Sequence, residues 1–189
     1  MYDTTELKKG VKIELEGKPY TILKSDFTNP GKGSAFVTCR IKNLETGQVI
    51  ERTFKSGVKT GCTEPNLEEK QVSYMYADAD GFNFMDQATF ETINIPTAQI
   101  GESSGYLKEG MVLNVLYYNG KSINIELPNF VELQVTQTDP GLKGDTATGG
   151  TKKAVMETGL QVNVPLFIKE GEVLKIDTRD GAYVERVKS

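Results

Sequence analysis

The sequence predicts an all-β protein made of three small β-barrels in tandem. Short stretches in which apolar and polar residues alternate recur along the whole chain, the period-two pattern of half-buried strands. Residues that favour turns separate these stretches, and helical periodicity is scarce: one or two helical turns are expected only near Thr97–Gly101 or Tyr106–Gly110. Closure into barrels is expected because it removes exposed sheet edges.

The first predicted module comprises residues 1–63. Val11, Ile13 and Leu15 alternate with charged residues and predict a strand that turns back at residues 16–19. Further strands are predicted at Tyr20–Leu23, Phe36–Lys42 and Val49–Phe54. Residues 57–66 contain two glycines and a proline among few apolar residues, which marks a boundary.

Residues 64–128 and 129–189 form the second and third modules, and their similar strand patterns favour barrels of the oligonucleotide-binding (OB) type. Asn119-Gly120 is the strongest hairpin signal in the chain. Strands are predicted at Gln71–Tyr76, Phe82–Met85, Phe90–Ile95, Met111–Tyr118, Ser122–Leu127, Phe130–Val135, Gln161–Ile168, Val173–Asp177 and Tyr183–Val187. A long polar loop is predicted between residues 136 and 153.

The composition leans against an enzyme. Histidine is absent, which excludes Ser-His-Asp and Cys-His nucleophilic sites and most zinc sites. Cys39 and Cys62 are predicted to be free, buried thiols. The carboxylates that lie close together in sequence are predicted to be solvated: Asp78 and Asp80, Glu68 and Glu69, and Asp177 and Asp180. No metal or cofactor is expected. Neither a membrane-spanning stretch nor the order of a signal peptide is visible, so a cytoplasmic protein without membrane contact is expected.

Charge is distributed unevenly along the chain. Residues 1–63 carry 11 Lys/Arg and 7 Asp/Glu, a net of +4, whereas residues 64–128 carry 3 and 10, a net of −7. Residues 129–189 carry 8 and 9, a net of −1. The asymmetry indicates that different ends meet different partners, with RNA phosphate favoured at the basic end. On charge alone, ordinary variation of surface charge is an equal alternative.

The most informative segment is Asp26–Ala35, predicted as a loop between two strands of the basic module. Its centre reads Pro30, Gly31, Lys32, Gly33 and Ser34. The proline restricts the backbone, and the glycines permit positive φ and leave no side chain beside Lys32. One ammonium would therefore project from a narrow hairpin, a shape suited to RNA phosphates. On the loop alone an ordinary exposed turn is the simpler interpretation. A phosphate-binding P-loop is excluded because its glycine spacing and following helix are missing.

A second loop, residues 139–152, mixes glycines with small polar groups. Asp145, Thr146 and Thr148 could hydrogen-bond base edges or ribose, and Lys143, Lys152 and Lys153 could contact phosphates. Long loops inside compact domains are usually functional or disordered. A flexible linker is the equal alternative.

Four elements combine along the chain. A Pro-Gly-Lys-Gly tip lies at residues 30–33, a Phe-Met-Asp element at Phe84-Met85-Asp86, and a Gly-Asp-Thr element at Gly144, Asp145 and Thr146. The fourth element has fixed spacing and is met at Lys152, Ala154, Gly159, Val162, Val164, Pro165, Ile168 and Gly171. Together they resemble the bacterial translation elongation factor P family over essentially the whole chain.

The resemblance implies an L-shaped, tRNA-like protein with an SH3-like (KOW-type) barrel followed by two OB-fold barrels. Its partners would be the 70S ribosome, ribosomal RNA and peptidyl-tRNA, including initiator and prolyl tRNA, and it would act as a monomer. It would bind between the peptidyl and exit sites and relieve stalls at consecutive prolines by positioning peptidyl-tRNA. Lys32 would reach the CCA end, and Gly144, Asp145 and Thr146 would contact RNA near the small subunit.

In this family a lysine-modifying enzyme often extends the tip residue, so Lys32 is the implied modification site. Lysine excludes the rhamnose route used on arginine, and Ser34 stands where Gln or Asn is more usual, so the modifying enzyme stays undefined. Modified and unmodified Lys32 both remain open. The alternatives to a true factor are the elongation-factor-P-like paralogue and a non-ribosomal OB-fold RNA-binding protein, the latter disfavoured by the acidic second module.

Overall fold

The computed structural model describes residues 1–141 and 150–188, and in this part the chain is almost entirely β-structure. The predicted all-β class is confirmed. The helical segments in the described part are one α-helical turn, α1 (Thr97–Ile100), and a 3-10 helix (Gly101–Tyr106). The first of the two predicted helical positions is correct, whereas Leu107–Gly110 is not helical. No helix in these residues is long and apolar enough to cross a membrane.

The first sheet contains four strands that are neighbours in chain order: β1 (Lys12–Leu15), β2 (Lys18–Thr28), β3 (Phe36–Asn43) and β4 (Val49–Lys55). Glu16 (φ 54°) and Gly17 (φ 73°) form the two-residue turn between β1 and β2. Left-handed conformations at both positions match the twist of the flanking strands. The predicted strand Tyr20–Leu23 is too short, because pairing with β3 continues β2 to Thr28.

The second sheet contains β5 (Leu67–Asp78), β6 (Gly81–Asp86), β7 (Thr92–Ile95), β8 (Val112–Tyr118) and β9 (Lys121–Glu126). Their order is β7-β6-β5-β8-β9. Asn119 (φ 49°) and Gly120 (φ 80°) form the predicted hairpin turn. The predicted strand Phe90–Ile95 begins too early, because Phe90 has a left-handed backbone (φ 61°) that no extended strand can include.

The third sheet contains β10 (Phe130–Thr138), β11 (Thr151–Met156), β12 (Gln161–Pro165), β13 (Val173–Asp177) and β14 (Tyr183–Arg186). Its order, β12-β11-β10-β13-β14, repeats that of the second sheet, with the first strand at the centre. The edge strands β12 and β14 contact each other, so the sheet curls towards closure. A curled five-stranded sheet is the form expected for an OB-type barrel.

Each of the first and third sheets packs around its own apolar core. The first core contains Ile13, Ile22, Ile41, Cys39 and Cys62, each at most 1% exposed, so the predicted burial of both thiols is confirmed. Burial raises the pKa of both thiols, which keeps them protonated and unreactive. The third core includes Leu133, Ala154, Met156, Val164, Ile168 and Leu174.

The chain divides into two compact units that do not follow the three sheets. One unit is Met1–Lys70 with Val115–Asn124, and the other is Gln71–Asn114 with Ile125–Ser189. Within the first unit, the Tyr118 hydroxyl donates a hydrogen bond to Glu14 Oε2 at 2.6 Å. Desolvation and this bond raise the pKa of Tyr118. The division into domains 1–63, 64–128 and 129–189 stays a prediction.

Candidate functional site at the tip of the β2–β3 hairpin

The Pro-Gly-Lys-Gly segment lies at the end of a long hairpin. The last residue pair of the β2–β3 ladder is Thr28 opposite Phe36, and residues 29–35 connect the two strands. The predicted loop is therefore shorter than expected, because residues 26–28 belong to β2. Lys32, with Gly31, Gly33 and Ser34, is exposed, and Pro30 is half-buried.

The two glycines beside Lys32 have different roles. Gly33 has φ +113°, a conformation that residues with a side chain rarely adopt. Gly31 does not have a positive φ, so of the two glycines that permit this conformation only Gly33 adopts it. A Cβ atom at Gly31 would meet no atom of the described residues within 4 Å. Gly33 therefore shapes the turn, whereas Gly31 leaves open space beside Lys32.

The Lys32 ammonium is available to an external partner. In residues 1–141 and 150–188, its side chain makes no hydrogen bond or ion pair. Lys24 on β2 of the same hairpin is paired instead, because its Nζ lies 3.0 Å from Asp26 Oδ2. A contact between Lys32 and a phosphate would consequently cost no internal ion pair.

The stem below the tip is held as a three-stranded ribbon. Phe36 pairs with Lys55 and Thr38 with Thr53 between β3 and β4. The hydroxyls of Thr38 and Thr53 are hydrogen-bonded at 3.2 Å, and the Ser56 amide donates to the Ala35 carbonyl at 2.8 Å. These contacts brace the strand that carries one end of the tip.

Cations dominate the stretch from Phe27 to Leu44. It contains Lys32, Arg40 and Lys42 and no Asp or Glu. Arg40 and Lys42 are exposed, and both alternate along β3 with the buried Ile41. Three of the eleven cations of the first module therefore lie at the tip and on the outer face of β3, in a stretch that contains no carboxylate.

The Gly-Asp-Thr element was predicted as a second site, but Gly144, Asp145 and Thr146 lie outside the described residues. Both ends of their loop are described. Lys152 donates a hydrogen bond to the Asp139 carbonyl. The Gly141 backbone packs so closely on the Leu166 carbonyl that a Cβ atom there would clash. Lys152, predicted to contact phosphate, thus already holds the base of the loop.

The remaining elements singled out in the sequence serve the fold. Ala154, Val162, Val164 and Ile168 of the spaced signature are buried in the third core. Phe84 is fully buried, and Asp86 accepts hydrogen bonds from the amides of the turn that follows it. The buried residues of the signature therefore stabilise the fold, whereas the exposed tip is available for contacts with other molecules.

Carboxylates that are neighbours in sequence act as turn supports. Asp177 accepts hydrogen bonds from the Arg179 side chain at 2.7 and 3.0 Å, and these bonds lower its pKa. Asp180 accepts from the Ala182 amide at 2.9 Å. Within residues 1–141 and 150–188, no three His, Cys, Asp or Glu side chains are grouped so that they could hold a metal ion.

Sequence reasoning did not single out Phe27. This side chain is 64% exposed on β2, one residue pair from the end of the ladder. The sequence did contain a signal for it, namely an aromatic residue in a segment predicted to be a loop. Its exposure could be found only once the register of β2 and β3 was fixed.

A three-sheet, all-β chain with an exposed cationic hairpin tip belongs to the class of small β-barrel proteins. Comparison with known families defines the class further. Residues 3–60 match the "Elongation factor P (EF-P) KOW-like domain", residues 67–125 the "Elongation factor P (EF-P) OB domain", and residues 131–186 "Elongation factor P, C-terminal".

Two curated relatives are similar along the full chain. Elongation factor P of Bdellovibrio bacteriovorus is 51% identical over 187 residues, which cover 99% of this chain and 98% of the relative. Elongation factor P of Moorella thermoacetica is 50% identical over 186 residues, covering 98% of this chain and all of the relative. The chain therefore belongs to the elongation factor P family, and it is a translation elongation factor.

A solved structure supports the fold. The structure titled "Eukaryotic translation initiation factor 5A from Methanococcus jannaschii" aligns with a TM-score of 0.53 at 21% identity. The alignment covers 66% of this chain and 90% of that one. At this identity the likeness concerns the fold alone.

Proposed function

We propose that the chain binds the ribosome between the peptidyl and exit sites and stimulates peptide bond formation at consecutive prolines. Its partners there are the 70S ribosome, ribosomal RNA and peptidyl-tRNA, including initiator and prolyl tRNA. Family membership supports the ribosome as the target. The observation that carries the proposal is Lys32, an exposed ammonium at the glycine-flanked end of a hairpin, without a partner in the described part of the chain.

Lys32 reaches the CCA end of the peptidyl-tRNA and anchors it through phosphate contacts. Contacts between cations and phosphates fix the orientation of an RNA without reading its sequence. Holding a reactant in attack geometry raises the reaction rate without any proton transfer, because the entropy lost on alignment is lost on binding and no longer adds to the barrier. The ribosomal RNA thus remains the catalyst, and the factor acts as a positioning protein rather than an enzyme, with no cofactor.

The three proposed domains have separate tasks. Residues 1–63, net +4, face the tRNA, and residues 64–128, net −7, face a basic ribosomal protein. Residues 129–189 carry the RNA-contact loop with Gly144, Asp145 and Thr146, which meets the small subunit near the exit-site codon. The protein works in the cytoplasm as a monomer.

The loop proposal has its own test. Asp145→Ala combined with Thr146→Ala should lower ribosome occupancy in a pelleting assay, because it removes the polar groups offered to RNA. The matched control is Asp139→Ala, which leaves the Asp139 carbonyl that holds Lys152 in place. Normal occupancy of the double variant would remove the loop from the binding surface.

Lys32 is also the proposed target of a lysine-modifying enzyme. Its amine is exposed, and the open space at Gly31 leaves room for an enzyme to approach. Extension of the side chain would carry the cation further from the hairpin. An unmodified lysine already carries a cation at this position, so modification adjusts reach rather than creating the contact.

The function is tested by the full-length yield of a Pro-Pro-Pro reporter in a purified translation system that lacks this factor. The protein is added as isolated from its native cell and as produced without modifying enzymes. The native form should restore full-length product, and the ratio of the two forms measures how much the extension of Lys32 contributes. Failure of both forms, with a proline-free reporter translated normally, would contradict the proposal and favour the elongation-factor-P-like paralogue.

A further inference from the structure

Phe27 is a large aromatic side chain exposed next to the hairpin tip. It lies opposite Val37 in the β2–β3 ladder, and Val37 lies opposite Phe54 in the β3–β4 ladder. Residues opposite each other share a face of the sheet, so Phe27 is on the face that carries the first core. Val37 is 3% exposed and Phe54 8%, whereas Phe27 is 64% exposed. The core therefore ends before Phe27, and its ring extends into solvent.

The fold does not account for this ring. An exposed apolar side chain contributes little to stability, and a short polar residue would satisfy the same strand position. Phe27 also has no ring or cation partner in the described part of the chain, unlike Phe130, whose ring lies 4.8 Å from Lys175 Nζ. A ring in this state has a free face.

The charges around Phe27 indicate the chemistry of what it contacts. The stretch that begins at Phe27 contains three cations and no carboxylate up to Leu44. Arg40 and Lys42 lie on the opposite face of β3 from Val37, so the relevant cation is Lys32 at the tip, whose side chain makes no hydrogen bond or ion pair with residues 1–141 or 150–188. Exposed aromatic rings beside unpaired cations are the combination by which proteins hold unpaired nucleotides, the rings stacking on bases and the cations meeting phosphates.

We propose that Phe27 stacks on an unpaired base of the RNA strand whose phosphates Lys32 contacts. This inference rests on the function proposed above and adds a positioning residue to the same site. The two residues are five positions apart, no more than about 18 Å of extended chain. One short single-stranded segment can therefore reach both. The stacked ring would fix the direction of the strand, which a single flexible ammonium cannot do.

The test is a titration of the factor against proline-stalled ribosomes, with Phe27→Ala, Phe27→Leu and Phe27→Tyr compared with wild type. Every protein carries the same Lys32 state, verified by intact mass. Loss of one base stack should raise the concentration for half-maximal rescue about ten-fold for the alanine and leucine variants. Tyrosine keeps the aromatic face and should stay within about two-fold of wild type. Thermal melting verifies that each variant is folded.

The matched control is Phe90→Ala, which removes a ring that is 71% exposed in the turn between β6 and β7 and should leave the titration unchanged. Leucine acting as well as phenylalanine would overturn the stacking proposal, because an apolar contact would then suffice. An unchanged titration for Phe27→Ala would overturn it as well. So would a defect confined to the addition of the Lys32 modification, since the ring would then contact the modifying enzyme. Absence of rescue by wild type would overturn both proposals. If wild type rescues normally, an unexpected result for the Phe27 variants overturns the stacking proposal alone.

Discussion

The β2–β3 tip and the β5–β6 turn are both hairpin ends with charged and turn-forming residues, and they are built in opposite ways. At the β5–β6 turn, Asp78 accepts hydrogen bonds from the Asp80 amide at 2.9 Å, the Gly81 amide at 3.1 Å and Asn83 Nδ2 at 2.8 Å. At the β2–β3 tip, Lys32 has no such partner in the part of the chain that the structure describes. One hairpin end satisfies its own polar groups, whereas the other leaves its charge for an external partner.

This contrast separates a structural turn from a functional one. A turn whose backbone amides are hydrogen-bonded by one of its own side chains gains stability, because each bond lowers the number of backbone groups without a partner in the protein. A turn that leaves a cation unpaired gains nothing from it within the chain. The open tip is therefore the place where a loss of function without a loss of stability is expected.

The largest expected effect is that of Lys32→Ala, which should abolish rescue of the Pro-Pro-Pro reporter while leaving the melting midpoint unchanged. Its amine makes no contact inside the described chain, and the proposed contact with the tRNA would be lost with it. The control, Lys9→Ala, removes one exposed cation outside the β2–β3 hairpin and should keep rescue near wild type. Equal rescue by both variants would break the comparison.

Next in size is the difference between Gly33→Ala and Gly31→Ala. Alanine at a left-handed position costs about 1–2 kcal/mol, so Gly33→Ala should distort the tip and raise the concentration for half-maximal rescue. Gly31 has neither a positive φ nor a close neighbour, so Gly31→Ala should have a much smaller effect. A titration of both variants measures this, and the reverse order would show that the tip adopts another conformation on the ribosome.

At the closed turn the effect should be on stability instead. Asp78→Ala removes three hydrogen bonds and should lower the melting midpoint by about 2–4 °C, with rescue retained. Its bond from Asn83, followed by those from the backbone, lowers the pKa of Asp78 below the ordinary 3.8. The stabilisation is thus present above pH 4 and is lost as the pH falls through this lowered pKa.

Melting of wild type and Asp78→Ala at pH 7 and near pH 3 follows this dependence. The difference between their midpoints should narrow at the lower pH, because other titrating groups are common to both proteins. A constant difference would mean that the charge of Asp78 does not contribute. Loss of rescue with unchanged melting would place the functional contact at the wrong hairpin.

The smallest expected effect concerns Phe90. Its left-handed backbone (φ 61°) is strained for an aromatic residue, and its ring is 71% exposed. Asparagine tolerates this conformation, so Phe90→Asn should stabilise the protein by about 0.5 kcal/mol. Denaturant unfolding measures the change. Destabilisation would show instead that the ring makes a contact of its own.

The strand class, the Asn119-Gly120 hairpin and the position of the tip were predictable, because they depend on local alternation and turn chemistry. The full length of β2 was not. Residues 25–28 carry the mixed polarity of an exposed hairpin stem, and only pairing with β3 makes them a strand. The left-handed Phe90 was also unpredictable, since the surrounding turn imposes that conformation against the preference of the residue.

The residue types of the candidate site were predictable, but whether each charged side chain has a partner was not. The sequence identifies Lys32 between two glycines, but whether an ammonium has a partner depends on which residues the register brings near it. Lys24 and Lys32 are both exposed lysines, yet Lys24 is paired with Asp26. Lys152 was expected to be free for phosphate and instead holds the Asp139 carbonyl.

The proposed contact between the β2–β3 tip and the peptidyl-tRNA can be tested by tethered cleavage. Cys39 and Cys62 are buried, which leaves an introduced exposed cysteine as the reactive thiol. Ser34→Cys at the open tip and Asp80→Cys at the closed turn would each carry a tethered iron chelate that generates hydroxyl radicals on proline-stalled ribosomes. Cleavage is expected at the 3′ end of the peptidyl-tRNA from position 34 and not from position 80. Rescue by the Ser34→Cys protein without cleavage at that end would contradict the proposed contact.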